Sequence, residues 1–342
     1  RARASLNVEW TVVDGLVWPY QTTVELHRVD GQWRVVFTPA TVHPTLTAGD
    51  ELVVSAIPAA RGSIVDGADQ AIVTARPVVI VGIEPQRVTD QAALLAELDA
   101  ANASARKVYE KNLHADLRYG PGQEEILDLF VVNPGGPLHV FFHGGYWRLL
   151  HKNDFTYIAH GVLPHGHNLA VVNYTLIPNT RMGDLVAECV RAVNWLMDNA
   201  DRYGFDPTHV SVFGHSAGGH LAAMMALKQF ACPLRSVSAL SGIFDLRPIQ
   251  KCFLNDVLAL TDEEVERFSP VRHQPIHTGT IRVITGAREG AEYERQAKDL
   301  VHAWAARGAK MELTVADGHD HFSLRAALAD PESEITKLSL CL

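Results

Sequence analysis

A chain of 342 residues can bury at least one large core, and at roughly 150 residues per domain it calls for about two. With 47% hydrophobic and 20% charged residues it is neither a disordered chain nor a small disulfide-stapled scaffold. A formal charge of −9, from 30 Lys and Arg against 39 Asp and Glu, without any basic block, argues against nucleic acid as a partner.

The four cysteines, Cys189, Cys232, Cys252 and Cys341, show no CxxC or Cys/His rhythm, so neither a zinc site nor a disulfide framework is expected. That usage fits a reducing cytoplasm. The longest apolar runs, such as Val78 to Ile83 and Leu138 to Phe142, fall far short of the ~18 to 20 residues that span a bilayer. The chain opens on Arg1 rather than Met and shows no apolar leader, which reads as a processed product or a fragment.

In chain order, residues 1 to about 88 read as β-structure. Asp14-Gly15 and Asp30-Gly31 are hairpin dipeptides between β-branched and aromatic residues, and Val24, Leu26, then Trp33, Val35 and Phe37 alternate. From Ala92 to about Tyr109 the character changes to an Ala/Leu-rich helix capped by Thr89 or Asp90, with the domain boundary near residue 102. Beyond Ile126, short wholly apolar runs alternate with amphipathic helices, the pattern of a mostly parallel sheet covered on both faces. The predicted strands are 126–132, 138–142, 169–174, 210–213, 237–240, 281–285 and 311–315, within one α/β domain over residues 103–342. After Gly183, the residues Leu185, Val186, Cys189, Val190, Val193, Leu196 and Met197 form one apolar helical stripe, which is core. Thr261 and Glu264 make a capping box inside the segment from Ser241 to Pro275, long enough for a lid.

The chemistry concentrates where the strand Val210 to Phe213 runs into Gly214-His215-Ser216-Ala217-Gly218 and then an Ala/Met-rich helix. A G-x-S-x-G in that context is a nucleophile elbow: glycines flank the serine because the turn brings backbone too close for side chains, and Ser216 is held out over the sheet. Upstream, a strand ends in His143-Gly144-Gly145-Tyr146-Trp147, and Gly144, Gly145 and Ala217 together can turn N–H groups toward an oxyanion. His143 braces that loop, and Tyr146 and Trp147 can wall the substrate pocket. The base must come later, and the last strand leads into Asp317-Gly318-His319-Asp320-His321-Phe322, where Phe322 can wall the imidazole of His321, with His319 as the alternative. The acid belongs after the preceding strand, at Glu289, with Glu292, Asp245 and Asp317 as competitors. The 17 histidines lack a ligand-helix spacing with carboxylates, so no metal and no cofactor is implied.

On these motifs, residues from about 104 to 335 resemble the serine-dependent kynurenine formamidases of the α/β-hydrolase fold. The matches are His143 to Trp147, Gly214 to Gly218, Leu240 to Ile249, Ser269-Pro270, Asp320 to Phe322, and the loop Gly286-x-x-Glu289-x-x-Glu292-Tyr293-x-Arg295-Gln296. The family often has G-x-x-D-x-x-E-F in that loop, so Glu289 falls on the triad acid with one extra methylene. The resemblance implies hydrolysis of N-formyl-L-kynurenine to kynurenine and formate, a step of tryptophan catabolism, while many relatives act on aryl or short-chain esters.

Residues 1 to about 100 resemble the region before the transpeptidase module of class B penicillin-binding proteins, through Trp33 to Val35, His43-Pro44-x-Leu46, Gly49-Asp50, Arg61 to Asp66 and Arg76 to Ile83. A transpeptidase also needs S-x-x-K, S-x-N and K-T-G. Ser104 to Lys107 fits the first by spacing alone, and His277-Thr278-Gly279 lacks the lysine. A fusion accounts for the two halves, one of a normally exported kind and one normally cytoplasmic.

The expectation is therefore an α/β-hydrolase domain at 103–342 behind a β-rich accessory segment at 1–102, acting on a small-molecule substrate through Ser216, His321 and Glu289. The alternatives are a general short-chain carboxylesterase and a non-catalytic cell-wall interaction module carrying a degenerate hydrolase. Whether the chain works as a homodimer is left open.

Overall fold

A computed structural model of the chain describes residues 1–13, 16–44, 64–65, 71–73, 91–277 and 279–342. The chain divides into two compact units, residues 1–78 and 79–342. In the first, β1 (Ala2–Val13), β2 (Leu16–Val29) and β3 (Gln32–Val36) form an antiparallel meander. Val29 pairs with Gln32 across Asp30-Gly31, whose φ angles of 52° and 79° are both positive, as a two-residue hairpin turn of the primed type requires. Asp14 and Gly15 lie outside the described residues, and the strands on either side of them pair, Val13 opposite Leu16. Val24 is buried, while Trp33, Val35 and Phe37 are exposed. Two short strands follow, β4 (Ile64–Val65) and β5 (Ala71–Val73). Most of the segments behind the second resemblance, Gly49-Asp50 and residues 76–83 among them, lie outside the described residues.

The first described element of the second unit is α1 (Gln91–Val108), and the unit is built on an eight-stranded sheet. Its strands are β6 (Leu113–Arg118), β7 (Ile126–Phe130), β8 (Leu138–Phe142), β9 (Asn168–Val172), β10 (Val210–His215), β11 (Ser236–Leu240), β12 (Thr280–Gly286) and β13 (Lys310–Ala316). The order across the sheet is β13-β12-β11-β10-β8-β9-β7-β6, parallel from β13 to β9, with β7 and β6 antiparallel at one edge. The α/β-hydrolase fold expected from the alternation of strands and helices is thus present. Wholly apolar strands are explained by the two cores: Val140 and Phe142 enter one, Phe141 the other, because successive side chains leave opposite faces and both faces are covered.

The predicted strand set lacked β6. Its Leu-His-Ala-Asp-Leu-Arg run is an exposed edge with a register shift between His114 and Leu117, so it carries no apolar signature. The boundary read near residue 102 lies inside α1. Asn102 Oδ1 accepts the Tyr157 N–H at 2.9 Å, Ala105 is fully buried, and Arg106 donates to Asp128 at 2.5 Å and to Asn153 at 2.6 Å, so this helix packs as part of the hydrolase unit. The S-x-x-K spacing at Ser104 to Lys107 sits on the same helix.

The amphipathic stripe forms α2 (Met182–Asp198), with Leu185, Val186, Cys189, Val193, Leu196 and Met197 buried. The segment after β11 carries short helices and α4 (Asp262–Phe268), reached after α3 (Ala217–Met225). Thr261 and Glu264 make their reciprocal capping bonds there, at 3.2 and 3.1 Å. Arg181, at the start of α2, clamps this segment through Glu264 and the Ala259 carbonyl. Three further helices are α5 (Ala291–Ala305), α6 (His321–Ala326) and α7 (Glu334–Leu340).

Candidate active site

Ser216 joins β10 to α3 at φ 59° and ψ −121°, a conformation that costs a non-glycine residue strain and turns its side chain outward. The neighbouring glycines explain how the turn is held so tight. A Cβ on Gly218 would lie 1.9 Å from the Phe142 carbonyl oxygen, and one on Gly214 would lie 2.3 Å from the Gly218 oxygen. Ser216 N–H donates to the Leu240 carbonyl at 2.9 Å, which ties the elbow to β11. The residue is 4% exposed.

The loop after β8 presses against this turn. A Cβ on Gly144 would sit 3.2 Å from Ser216 Cβ, and one on Gly145, at φ 111°, would collide with the Leu149 oxygen at 2.2 Å. Tyr146 and Trp147 continue the loop at φ 49° and 58°, so its backbone turns through three positive φ angles in succession. The loop and Ala217, the first residue of α3, thus bring Gly144, Gly145 and Ala217 around Ser216. His143 braces the loop from beneath: its Nδ1–H donates to the Gly144 carbonyl at 2.8 Å and its ring stacks on Tyr174 at 4.3 Å. Burial pulls its pKa down to about 4, so it stays neutral.

The two aromatic residues of the loop part company. Trp147 is fully buried, its indole N–H donating to His220 Nδ1 of α3 at 3.2 Å, so it braces the nucleophile's helix from inside the core. Tyr146 is only partly buried. Tyr293 on α5 is buried, its ring 4.8 Å from that of His321.

Glu289 and His321 come together. His321 Nδ1–H donates to Glu289 Oε2 at 2.9 Å, while Oε1 accepts the Ser241 hydroxyl at 2.5 Å and the Gly286 N–H at 2.5 Å. The extra methylene of glutamate is taken up locally. The side chain folds back over Gly286, where a Cβ would lie 3.0 Å from Oε1, and the carboxylate reaches the imidazole from inside its own loop. His321 opens α6 behind Asp320, whose carboxylate caps the helix by accepting the N–H groups of Phe322 and Ser323 at 2.9 and 2.8 Å. The imidazole is enclosed by His215 at 4.4 Å, Tyr293 at 4.8 Å and the edge-on ring of Phe322 at 5.6 Å.

Of the competitors, Asp245 pairs with Arg247 at 2.8 Å and Glu292 with Arg295 at 2.6 Å, Asp317 is exposed, and His319 Nδ1 is buried without a hydrogen-bond partner among the described residues. Sequence reasoning missed Ser241, Asp320 and Tyr293 as members of the site. Ser241 and Tyr293 stand inside the quoted motifs, yet only the tertiary arrangement reveals what they touch.

Of the histidines, His139 and His167 stack at 4.9 Å and share an Nε2···Nδ1 bond of 2.9 Å, with burial pulling His139 down to about 3. Among the described residues no group of three or more His, Cys, Asp or Glu side chains is arranged to hold a metal ion. Among them, too, no helix is long and apolar enough to cross a membrane.

Comparison with known proteins places this geometry. The family model described as BD-FAE matches residues 131–239, the stretch from the end of β7 to β11 that holds Gly144, Gly145 and Ser216. Kynurenine formamidase of Danio rerio is 29% identical over 72% of this chain and 86% of its own length, and that of Salmo salar 29% over 66% and 80%. The isoprenylcysteine α-carbonyl methylesterase of Arabidopsis thaliana is 26% identical over 65% of this chain and 59% of its own. Among solved structures, one described as a thioesterase from a Silicibacter species superposes with a TM-score of 0.65 at 29% identity, covering 76% of this chain and 97% of that one. Esterase B of Lactobacillus shares the fold, with a TM-score of 0.58 at 18% identity over 73% of this chain and 93% of that one. The chain is a hydrolase with the α/β-hydrolase fold, similar to kynurenine formamidases and esterases.

Proposed function

We propose that this hydrolase cleaves an aryl formamide, N-formyl-L-kynurenine first among them, through Ser216, His321 and Glu289. The observation that carries the reading is the Glu289–His321 pair beside the strained Ser216 elbow, on a chain similar to kynurenine formamidases along most of their length. Ser216 Oγ attacks the formyl carbon while His321 Nε2 takes its proton. The carbonyl oxygen becomes an oxyanion held by the N–H groups of Gly144, Gly145 and Ala217. Glu289 keeps Nδ1 protonated and offsets the positive charge on the imidazolium. His321 then hands its proton to the departing arylamine as the C–N bond breaks, and a water activated by the same imidazole releases formate from the formyl enzyme.

Tyr146 offers a ring for the aromatic leaving amine, a contact worth ~0.5 to 1.5 kcal/mol. A short-chain carboxylesterase is the second reading, favoured by the esterase relatives. The test is kcat/KM for N-formyl-L-kynurenine beside p-nitrophenyl acetate and butyrate. Preference for the formamide, abolished in Ser216→Ala by several orders of magnitude, is the expected outcome. A butyrate preference with no formamide cleavage overturns it in favour of the esterase.

A further inference from the structure

The strand β11 ends on a dipeptide that touches both halves of the proposed machinery. The Leu240 carbonyl accepts the Ser216 N–H at 2.9 Å. The next residue, Ser241, donates its hydroxyl to Glu289 Oε1 at 2.5 Å and its own N–H to the Ile284 carbonyl of β12 at 2.7 Å. Because β11 lies between β10 and β12 in the sheet, this one corner is tied both to the nucleophile's strand and to the acid's. We propose that Ser241 is a positioning residue for the triad: its hydroxyl fixes the carboxylate plane of Glu289, so that Oε2 faces the His321 Nδ1–H. The proposal rests on the serine-hydrolase reading above, with Glu289 as its acid, and extends it to a residue outside the triad and the oxyanion hole.

The length of the acid makes such a hold necessary. A glutamate carries one more rotatable bond than an aspartate, and its carboxylate turns about a terminal torsion that is broad rather than confined to sharp wells. The two oxygens offer about four lone-pair sites between them. Oε2 accepts from His321 at 2.9 Å, while Oε1 accepts from Ser241 and from the Gly286 N–H, both at 2.5 Å. Gly286 sits in the same loop as Glu289, whereas Ser241 comes from another strand and ties the carboxylate to the sheet. The Glu289 side chain is fully buried and Ser241 is buried beside it, so the bond lies out of water, where a hydrogen bond to a charged acceptor is strong. The backbone supplies a second, independent sign. Ser241 has φ 47°, in the left-handed region that favours glycine. A side chain kept there against that preference points to a use for its hydroxyl.

The test is Ser241→Ala and Ser241→Gly, each made in the wild-type chain and in Glu289→Gln. Alanine removes the hydroxyl and keeps the strained φ, whereas glycine removes both, so the pair separates oxygen from backbone. Three quantities are read: the second-order rate of Ser216 modification by a fluorophosphonate, kcat and KM for p-nitrophenyl acetate, and Tm. In the wild-type background both variants are expected to lower the labelling rate and kcat about tenfold, with KM within about twofold, as loss of one net hydrogen bond at the acid predicts. The glycine variant is expected to melt no lower than the alanine variant and still to react slowly. In Glu289→Gln, either substitution is expected to change the labelling rate by less than about twofold, because a residue that acts through the carboxylate has nothing left to position. An unchanged kcat in Ser241→Ala overturns the proposal, as does recovery of kcat in Ser241→Gly, which would assign the effect to the backbone. So does an equal loss in the Glu289→Gln background, which would make Ser241 a structural residue acting without the acid. A wild-type chain that the fluorophosphonate does not label overturns the serine-hydrolase reading and this proposal with it, and a Glu289→Gln chain as reactive as wild type removes the acid. A labelled wild type, a slow Glu289→Gln and a fast Ser241→Ala together remove Ser241 alone.

Discussion

At the scale of single residues, the site is legible in the sequence where the backbone itself demands a residue type. Gly214 and Gly218 could be read as an elbow because nothing larger fits between Phe142 and the turn. Ser241 could not, since a hydroxyl says nothing of its partner until distant loops are brought together. Glu289 shows the same limit. The sequence marks the position of the acid and leaves its length unexplained, while the structure seats the glutamate over Gly286. Two substitutions separate charge from reach. Glu289→Gln is expected to lower kcat on the order of 10⁴-fold with folding intact, because the imidazole loses the carboxylate that orients it. Glu289→Asp keeps the charge but draws it back from His321, and a misplacement of about 1 Å is expected to cost up to about 100-fold. Full activity in the aspartate variant would mean that the loop closes the gap, and steady-state kinetics decides it.

Elements were legible in proportion to their burial. The strands β8 to β11 are buried along their whole length, so they appear as mostly apolar runs free of Asp, Glu, Lys and Arg. β6 is an edge, held partly by polar contacts such as the Asp116 N–H on Asp128 Oδ1 at 2.9 Å, and its sequence gives no such run. The buried imidazoles make the packing of these elements sensitive to acid. His139, His143 and His220 have pKa values pulled by burial to about 3, 4 and 4, and His220 must be neutral to accept from Trp147 while donating to the Phe268 carbonyl at 2.8 Å. Each takes up a proton more readily when unfolded, near pH 6.5, than when folded. The stability they allow is therefore complete above about pH 6.5 and is lost as pH falls toward 4. Urea midpoints are expected to be level between pH 7 and 8 and to fall steadily from 6.5 to 4. A flat profile across that lower window would mean that these imidazoles accept protons in place.

For the whole molecule, the two-unit division makes a sharper statement than the composition break at residue 102. We propose that the unit 1–78 supplies nothing to hydrolysis, and a chain beginning at Thr89 is expected to retain kcat/KM within about twofold. A chain beginning at Ala103 cuts α1 and leaves the buried Tyr157 N–H without Asn102, a loss of ~1 to 3 kcal/mol and several degrees of Tm. If the longer truncation is as stable as the shorter, α1 matters less than its contacts suggest. The order of strands across the sheet carries a last consequence. The proposed nucleophile and oxyanion loop follow β10 and β8, whereas the proposed acid and base follow β12 and β13, so a cut in the stretch between α4 and β12 sorts the proposed machinery into two complementary fragments. One carries an unassisted serine, the other a histidine–glutamate pair with nothing to activate. Neither can turn over alone, and any hydrolysis that returns on mixing them reports that β11 and β12 have found each other, which makes the fold a built-in reporter of its own assembly.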